Sequence, residues 1–162
     1  MKRNHQPIYI LLSFLLAMMI VVGANGRDLS RNFTYAEFAC PKCGKAKVDP
    51  ALINALQELR DRVGQPVIVS SGYRCPDYNR AVGGASDSLH LEGKAADIYV
   101  RGYTAVQLYR LVSEIPAFTG IGVYPQNNFV HVDLRKTPNQ WGYLSGKYVP
   151  IQQILERERR SQ

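Results

Sequence analysis

The segment SLHLEGKAAD, residues 88–97, contains one of only two histidines that follow the first 26 residues of this 162-residue chain. The other, His131, stands in the segment FVHVD, residues 129–133. Each histidine has a carboxylate nearby in sequence, Asp97 in the first segment and Asp133 in the second. Two imidazoles and a carboxylate are a common ligand set for a zinc ion whose fourth position stays open to water. The two segments together therefore predict one site for Zn²⁺.

The spacing within each segment favours convergence on that site. Side chains alternate between the two faces of a strand, so His131 and Asp133 would share one face while the valines beside them pack on the other. In the earlier segment, residues 92–94 have the composition of a turn. Such a turn would bring His90 and Asp97 together although they are seven residues apart.

Hydrophobic periodicity predicts an α+β domain over residues 27–162, with a small, mainly antiparallel sheet and flanking helices. One helix is predicted to begin at Asp49-Pro50 and to end at Gly64. Thr104 followed by Gln107 has the sequence of a capping box in front of a second helix. The remaining predicted elements are strands at 67–70, 95–100, 121–124 and 129–134, a short helix at 76–82 and a last helix that starts at Pro150.

Residues 1–26 are expected to be a targeting segment. Lys2 and Arg3 precede an apolar run at 8–22, and small residues follow up to Gly26. A run of about 15 apolar residues is shorter than the roughly 20 that span a bilayer. We therefore expect a signal peptide that is removed after Gly26, and the alternative is an uncleaved N-terminal anchor. Either segment would export the rest of the chain to the periplasm or cell envelope.

The charge balance narrows the class of partner. The formal net charge is +7, and it is +5 without residues 1–26, whose only charged residues are Lys2 and Arg3. A modestly basic exported domain suits an anionic polymer such as a cell wall. The sequence has no stripe dense in Lys and Arg with interleaved aromatics, so we expect no nucleic-acid partner. Membrane contact is expected only through an uncleaved N-terminal segment, and a monomer is the expected state.

The chain has three cysteines, Cys40, Cys43 and Cys75. The stretch CPKCG, residues 40–44, resembles half of a zinc ribbon, but a full site needs four ligands and only Cys75 remains as a third. In an oxidising compartment, one disulfide from Cys75 to either Cys40 or Cys43 is the expectation. A structural zinc site and three free thiols are the alternatives.

Several short motifs together resemble a known family. They are Ser71-Gly72-Tyr73-Arg74, Asn79, Val82-Gly83-Gly84, Ser88-x-His90-x-x-Gly93-x-Ala95-x-Asp97 and the stretches 120–125 and 129–133. In combination, over roughly residues 29–141, they are similar to the zinc D-alanyl-D-alanine carboxypeptidases and related murein endopeptidases of the hedgehog/DD-peptidase fold, in particular the branch of murein endopeptidase K. The resemblance implies a zinc peptidase that hydrolyses peptide bonds in peptidoglycan stem peptides or cross-links.

The resemblance also implies roles for individual residues. His90, Asp97 and His131 would be the ligands of one Zn²⁺. Arg74 would hold a substrate carbonyl or carboxylate, since a guanidinium fork binds such groups through two N–H donors. Ser88 would hydrogen-bond the substrate or a ligand, and the alternative is a serine that caps a turn.

Aromatic side chains are further candidates for substrate contact. Tyr73 is expected to line the substrate cleft, together with Tyr78, Tyr124 and Trp141. Trp141 stands near the end of the resemblance and could cover the site. Packing in the core or at the rim is the alternative for all four side chains.

One position departs from the family pattern. Many members carry Glu or Asp three residues before the last histidine as a general base, and this chain has Asn128 there. An amide cannot take up a proton, so Asp133 becomes the candidate for the base or for a group that orients His131. Three functions stay open: a murein endopeptidase, a D-alanyl-D-alanine carboxypeptidase, and a catalytically inactive module that holds zinc and binds the cell wall.

Overall fold

The computed structural model describes residues 28–161, and the expected targeting segment, 1–26, lies outside that range. In chain order the elements are a 3-10 helix (Tyr35–Phe38), α1 (Pro50–Val63), β1 (Val67–Ser71), α2 (Pro76–Ala81), a second 3-10 helix (Leu89–Glu92), β2 (Ala95–Val100), α3 (Ala105–Val112), β3 (Gly120–Tyr124), β4 (Phe129–Asp133), β5 (Asn139–Leu144), β6 (Lys147–Pro150) and α4 (Ile151–Ser161). Within this range no helix is long and apolar enough to cross a membrane.

Helices α1 and α3 form with the caps that their sequences indicate. The Asp49 carboxylate accepts a hydrogen bond from the backbone N–H of Ala51 at the start of α1, and Gly64 ends that helix with a φ of 70°. Thr104 and Gln107 form a complete capping box in front of α3. These contacts satisfy backbone groups that a helix end leaves without partners.

The six strands form one sheet in the order β1-β2-β4-β3-β5-β6. All neighbouring strands are antiparallel except β3 and β5, which run parallel. The expected α+β class with a mainly antiparallel sheet is therefore confirmed.

The central strands β2, β4 and β3 have one apolar face and one polar face. Ile98, Val130, Val132, Ile121 and Val123 are buried in the core, and α3 packs against these three strands. The opposite face carries the polar side chains of β2 and β4. Alternation of side chains along each strand thus separates the core from the candidate site.

The end of the chain differs from the prediction. Strands β5 and β6 were not predicted, and they form a hairpin whose turn residues, Ser145 and Gly146, have φ values of 48° and 82°. Pro150 does not start the last helix, because it pairs with Trp141 at the end of β6 and the helix begins at Ile151. Positive φ at both turn residues is typical of two-residue hairpins.

Candidate active site

Strand register brings the first two candidate ligands together. Asp97 of β2 is the direct partner of His131 of β4, and His131 is in turn the partner of Gly122 of β3. Directly opposite residues of an antiparallel pair project to the same face of the sheet. The Nδ1 atom of His131 consequently lies 2.9 Å from Oδ1 of Asp97.

His90 reaches the same point from the second 3-10 helix. That helix ends at Gly93, which has a φ of 73°, and a Cβ atom there would overlap with the backbone of Lys47. The His90 ring donates from Nδ1 to the carbonyl oxygen of Gly72 at 2.7 Å. Its other nitrogen, Nε2, is therefore aimed at the pair, 3.2 Å from His131 Nδ1 and 3.3 Å from Asp97 Oδ1.

The partners of the two rings determine which nitrogens carry protons in the neutral imidazoles. A carbonyl oxygen only accepts, so the His90 proton is on Nδ1. The Nε2 atom of His131 lies 3.0 Å from Oδ2 of Asp133, whose carboxylate holds the proton of that ring on Nε2. Two nitrogen lone pairs and a carboxylate oxygen then face one another with no proton between them. Three acceptor atoms this close together repel one another, and a cation between them would offset that repulsion.

The separations also fit a metal ion. Ligand atoms bound at about 2.0–2.1 Å to a tetrahedral zinc ion are about 3.3–3.4 Å apart. The three observed separations are 2.9, 3.2 and 3.3 Å. His90, Asp97 and His131 could therefore hold one ion with little movement, and they form one of the two clusters of potential metal ligands in residues 28–161.

The electrostatics of the cluster also favour a positive charge at its centre. Burial lowers the pKa of His90, which keeps that ring neutral. Burial opposes protonation of His131 as well, but hydrogen bonds to Asp133 and Asp97 outweigh it and raise the His131 pKa. Burial likewise opposes ionisation of Asp97, and hydrogen bonds from the two histidines outweigh it and hold the carboxyl pKa well below its usual range.

Behind His131, Asp133 is fully buried in a pair with Arg135. The backbone N–H of Arg135 donates to Asp133 Oδ1 at 3.0 Å, and its Nε lies 2.9 and 3.1 Å from the two carboxylate oxygens. Gly120 makes room for this pair, since a Cβ atom there would overlap with the Asp133 carboxylate. Both oxygens of Asp133 are thus occupied, and the carboxylate faces the far side of the His131 ring. Sequence reasoning missed Arg135, although it stands two residues after Asp133.

Trp141 covers this part of the sheet. A Cβ atom at Gly122 would lie 2.6 Å from the Trp141 indole, so the absence of a side chain at Gly122 lets the ring lie flat against β3. The centroid of the Trp141 ring lies 5.5 Å from the centroid of the His131 ring. The guanidinium carbon of Arg135 lies 4.6 Å from the same Trp141 centroid. The expectation that Trp141 covers the site is consistent with this position.

Arg74 contacts the cluster from the opposite side. Its Nε donates to Ser71 Oγ at 2.8 Å, and its terminal nitrogen forms an ion pair with Oδ2 of Asp97. Its backbone N–H donates to the carbonyl oxygen of His90 at 3.1 Å. The guanidinium therefore fixes the carboxylate oxygen that does not face the two histidines.

A cleft of about 1130 Å³ opens above these groups. Arg74, Ser88 and Trp141 line it, and Tyr73 does not. Ser88 precedes the second 3-10 helix but its hydroxyl makes no capping hydrogen bond in the described structure, so the capping alternative has no support. The backbone N–H of Tyr73 donates to the carbonyl oxygen of Phe38.

Asn128 lies outside the cleft. It has a φ of 52°, and its side-chain amide donates to the carbonyl oxygen of Tyr103 at 3.2 Å. It lines a separate cavity of about 320 Å³ together with Thr104 and Ile154. Asn is one of the few residues other than Gly that adopt positive φ readily. The positive φ that the turn before β4 requires therefore accounts for an asparagine at position 128.

Three ligands that converge at the floor of an open cleft are the arrangement of catalytic rather than structural metal sites. The sequence profile of the Peptidase M15 family matches residues 31–133, a stretch that includes all three. The chain therefore belongs to the Peptidase M15 family.

Curated relatives are similar over the same region. The chain is 36% identical over 93 residues to the peptidoglycan L,D-endopeptidase MepK of Escherichia coli K12, covering 53% of this chain and 50% of that protein. It is 30% identical over 95 residues to a probable peptidoglycan L,D-endopeptidase MepK of Haemophilus influenzae, covering 54% and 50%. It is 34% identical over 116 residues to the zinc D-Ala-D-Ala carboxypeptidase of Streptomyces albus G, covering 62% and 45%. The chain thus spans about half the length of the curated relatives that it matches.

Proposed function

We propose that this chain is a zinc-dependent peptidase that hydrolyses peptide bonds in peptidoglycan. The observation that carries the proposal is the convergence of His90 Nε2, His131 Nδ1 and Asp97 Oδ1, three potential ligand atoms 2.9–3.3 Å apart beside a cleft. Membership of the Peptidase M15 family supports the peptidase activity. The names of the curated relatives support peptidoglycan as substrate and zinc as the metal.

In this proposal His90, Asp97 and His131 hold Zn²⁺. Zinc in such a site activates a water molecule and polarises the carbonyl group that is attacked. Asp133 holds the proton of His131 on Nε2, which leaves Nδ1 free to bind the metal, and Arg135 keeps Asp133 ionised and in place. Outer partners of this kind orient the ligand and raise its basicity.

In this proposal, Arg74 and Ser88 contact the substrate. The Arg74 guanidinium is held by Ser71 and Asp97, so its remaining N–H groups have a fixed direction at the wall of the cleft. Donors that are already oriented stabilise the oxyanion that forms when a peptide carbonyl is attacked. The Ser88 hydroxyl lines the same cleft and has no capping partner, so it can hydrogen-bond a substrate peptide.

Between the two peptidase activities, we favour an endopeptidase, because two of the curated relatives are named peptidoglycan L,D-endopeptidases. Pockets for small ligands are typically about 300–1,000 Å³. A cleft of about 1130 Å³ is large enough to admit a peptide substrate, which both activities require. The D-alanyl-D-alanine carboxypeptidase remains the second candidate, because one curated relative carries that name. The inactive zinc-holding module stays the third candidate, because Asn128 lies in a turn outside the cleft and supplies no base.

The full-length chain would be incubated with purified sacculi and with defined cross-linked and uncross-linked muropeptides, with and without a chelator. We expect chelator-sensitive release of peptides that is restored by zinc and is absent in His131→Ala. Products from cross-linked dimers identify an endopeptidase, whereas free D-alanine as the sole product identifies the carboxypeptidase. Intact muropeptides after incubation with the zinc-loaded chain would overturn the proposal. A role in the cell envelope follows from the substrate.

A further inference from the structure

The three cysteines come together at a second place, away from the cleft. Cys40 follows the first 3-10 helix, Cys43 lies in the turn after it, and Cys75 precedes α2. Their sulfur atoms all lie within 4.8 Å of one another. Cys40 is buried, Cys75 is half-buried and Cys43 is exposed. The chain thus brings residues from two distant segments to one point at the surface.

The separation of the sulfurs fits metal coordination. Sulfur atoms in a disulfide are about 2.0 Å apart. Thiolates bound at about 2.3 Å to one tetrahedral zinc ion are about 3.8 Å apart. The Sγ atoms of Cys40 and Cys75 are 3.6 Å apart. This separation is close to that of two thiolates on one ion.

The backbone around Cys40 stabilises a thiolate. The Cys75 N–H lies 3.4 Å from the Cys40 sulfur. An N–H donor aimed at a sulfur stabilises an anionic ligand, whereas a disulfide sulfur carries no charge to stabilise.

The turn that carries Cys40 and Cys43 is also held rigidly. The backbone N–H of Cys40 donates to the carbonyl oxygen of Lys45, and that of Gly44 donates to the carbonyl oxygen of Cys40, both at 2.8 Å. Gly44 has a φ of 69°, the left-handed conformation that glycine adopts at little cost. Cys40 and Cys43 therefore lie on a turn closed by hydrogen bonds, so little rearrangement would be needed for both to bind one ion.

We propose that Cys40, Cys43 and Cys75 bind a second zinc ion through three thiolates, with a water molecule as the fourth ligand that the described residues do not supply. Thiolates are ligands that zinc favours in structural sites. The disulfide expected from the sequence is the competing state of these cysteines, and the sulfur separation and the Cys75 N–H donor favour the metal. The proposal of this second metal site does not rest on the proposed hydrolytic activity.

The position of the three cysteines indicates what a bound ion would do. Cys75 directly follows Arg74, whose backbone N–H donates to the His90 carbonyl oxygen. The neighbouring Gly72 packs so closely against Phe38 that a Cβ atom there would overlap with the Phe38 backbone. The ion would tie residues 40–43 to the segment that carries Arg74. We expect it to maintain the direction of that guanidinium in the cleft.

The first measurement is the metal content of the full-length chain purified with zinc. We expect about two zinc ions per wild-type chain and one in Cys43→Ser. The matched control is Lys45→Ser in the same turn, which leaves the Lys45 carbonyl in place and should keep both ions. The double variant His90→Ala/His131→Ala should also retain one ion. One ion in the wild type, with none left in that double variant, would overturn the cysteine site.

Cobalt replacement identifies the ligands independently of activity. In the His90→Ala/His131→Ala background, cobalt should give the thiolate-to-metal charge-transfer absorption of a cysteine site, and adding Cys43→Ser should remove it. No such absorption in that background, or a disulfide from Cys75 in the unreduced protein, would overturn the proposal. Failure of the muropeptide assay bears on the His90 cluster alone, because neither measurement here depends on hydrolysis.

Discussion

Asp133 accepts a hydrogen bond from His131 at 3.0 Å although the two residues belong to the same strand and are only two positions apart. The contact forms because their side chains share one face of β4 and the carboxylate is turned toward Nε2. Asp133 is fully buried, and Arg135 occupies both of its oxygens. Asp133 borders the cleft, but its oxygens are occupied by His131 and Arg135, and these contacts favour a role in orienting a metal ligand.

Replacing Asp133 with Asn tests that role. The side chain keeps its shape but loses the charge that holds the proton of His131 on Nε2. We expect zinc affinity to fall about 10–100-fold, the usual effect of losing such a partner. Hydrolysis should recover at saturating zinc. An approximately hundredfold loss of hydrolysis that persists at full occupancy would instead identify Asp133 as the general base.

Removing either imidazole should abolish metal binding at the cluster. His90→Ala and His131→Ala each leave two ligands, too few for the three-ligand site that catalytic zinc requires. We expect loss of the one zinc ion assigned to the cluster and of all chelator-sensitive hydrolysis. Elemental analysis and circular dichroism would be measured together. Retention of that ion by both folded variants would refute the ligand assignment.

Arg74→Lys should lower turnover by about tenfold or more, because a point charge replaces a fork with fixed directions. The lysine keeps a positive charge beside Asp97, so zinc content should stay unchanged. Arg74→Ala, which removes that charge, should also weaken zinc binding. Turnover of Arg74→Lys equal to wild type would assign Arg74 a purely structural role.

Gly122→Ala should displace Trp141, since the added Cβ atom would lie 2.6 Å from the indole. Trp141 is the only tryptophan of the chain, so its fluorescence reports this region directly. We expect a shifted emission maximum, a lower melting temperature and slower hydrolysis with zinc still bound. An unchanged emission spectrum would mean that Trp141 does not rest on Gly122 in solution.

Asn128→Asp should not increase hydrolysis, although it restores the acidic residue that many family members carry at this position. The side chain lies outside the cleft, and an aspartate would face the Tyr103 carbonyl oxygen without a proton to donate. We expect stability to fall by about 1 kcal/mol, the typical value of one hydrogen bond. Urea unfolding measures that change, and a gain of muropeptide hydrolysis would contradict this placement of residue 128.

The sequence allowed prediction of the elements whose signals are local. Asp49, Gly64 and Thr104 cap their helices as expected, and alternation in residues 129–133 correctly put His131 and Asp133 on one face. The three candidate ligands do meet, as expected from the two histidine segments. These features depend on residues a few positions apart, which is the range over which hydrophobic patterns are informative.

What could not be predicted depends on distant contacts. The β5–β6 hairpin turns at Ser145-Gly146, a weaker signal than Asn-Gly, and β5 pairs in parallel with a strand about 20 residues earlier. The pairing of Arg135 with Asp133 requires the space at Gly120, which lies in another strand. Tyr73 stands beside Arg74 in the motif, yet it contacts Phe38 through its backbone and does not line the cleft.

The pairing of Asp97 with His131 across β2 and β4 has a practical consequence for anyone preparing this protein. A slip of one residue between these strands would turn one of the two side chains toward the apolar core. A misaligned molecule would therefore lose the geometry of the cluster together with its packing. On the proposed ligand assignment, metal binding at this cluster would require the correct alignment of the two strands.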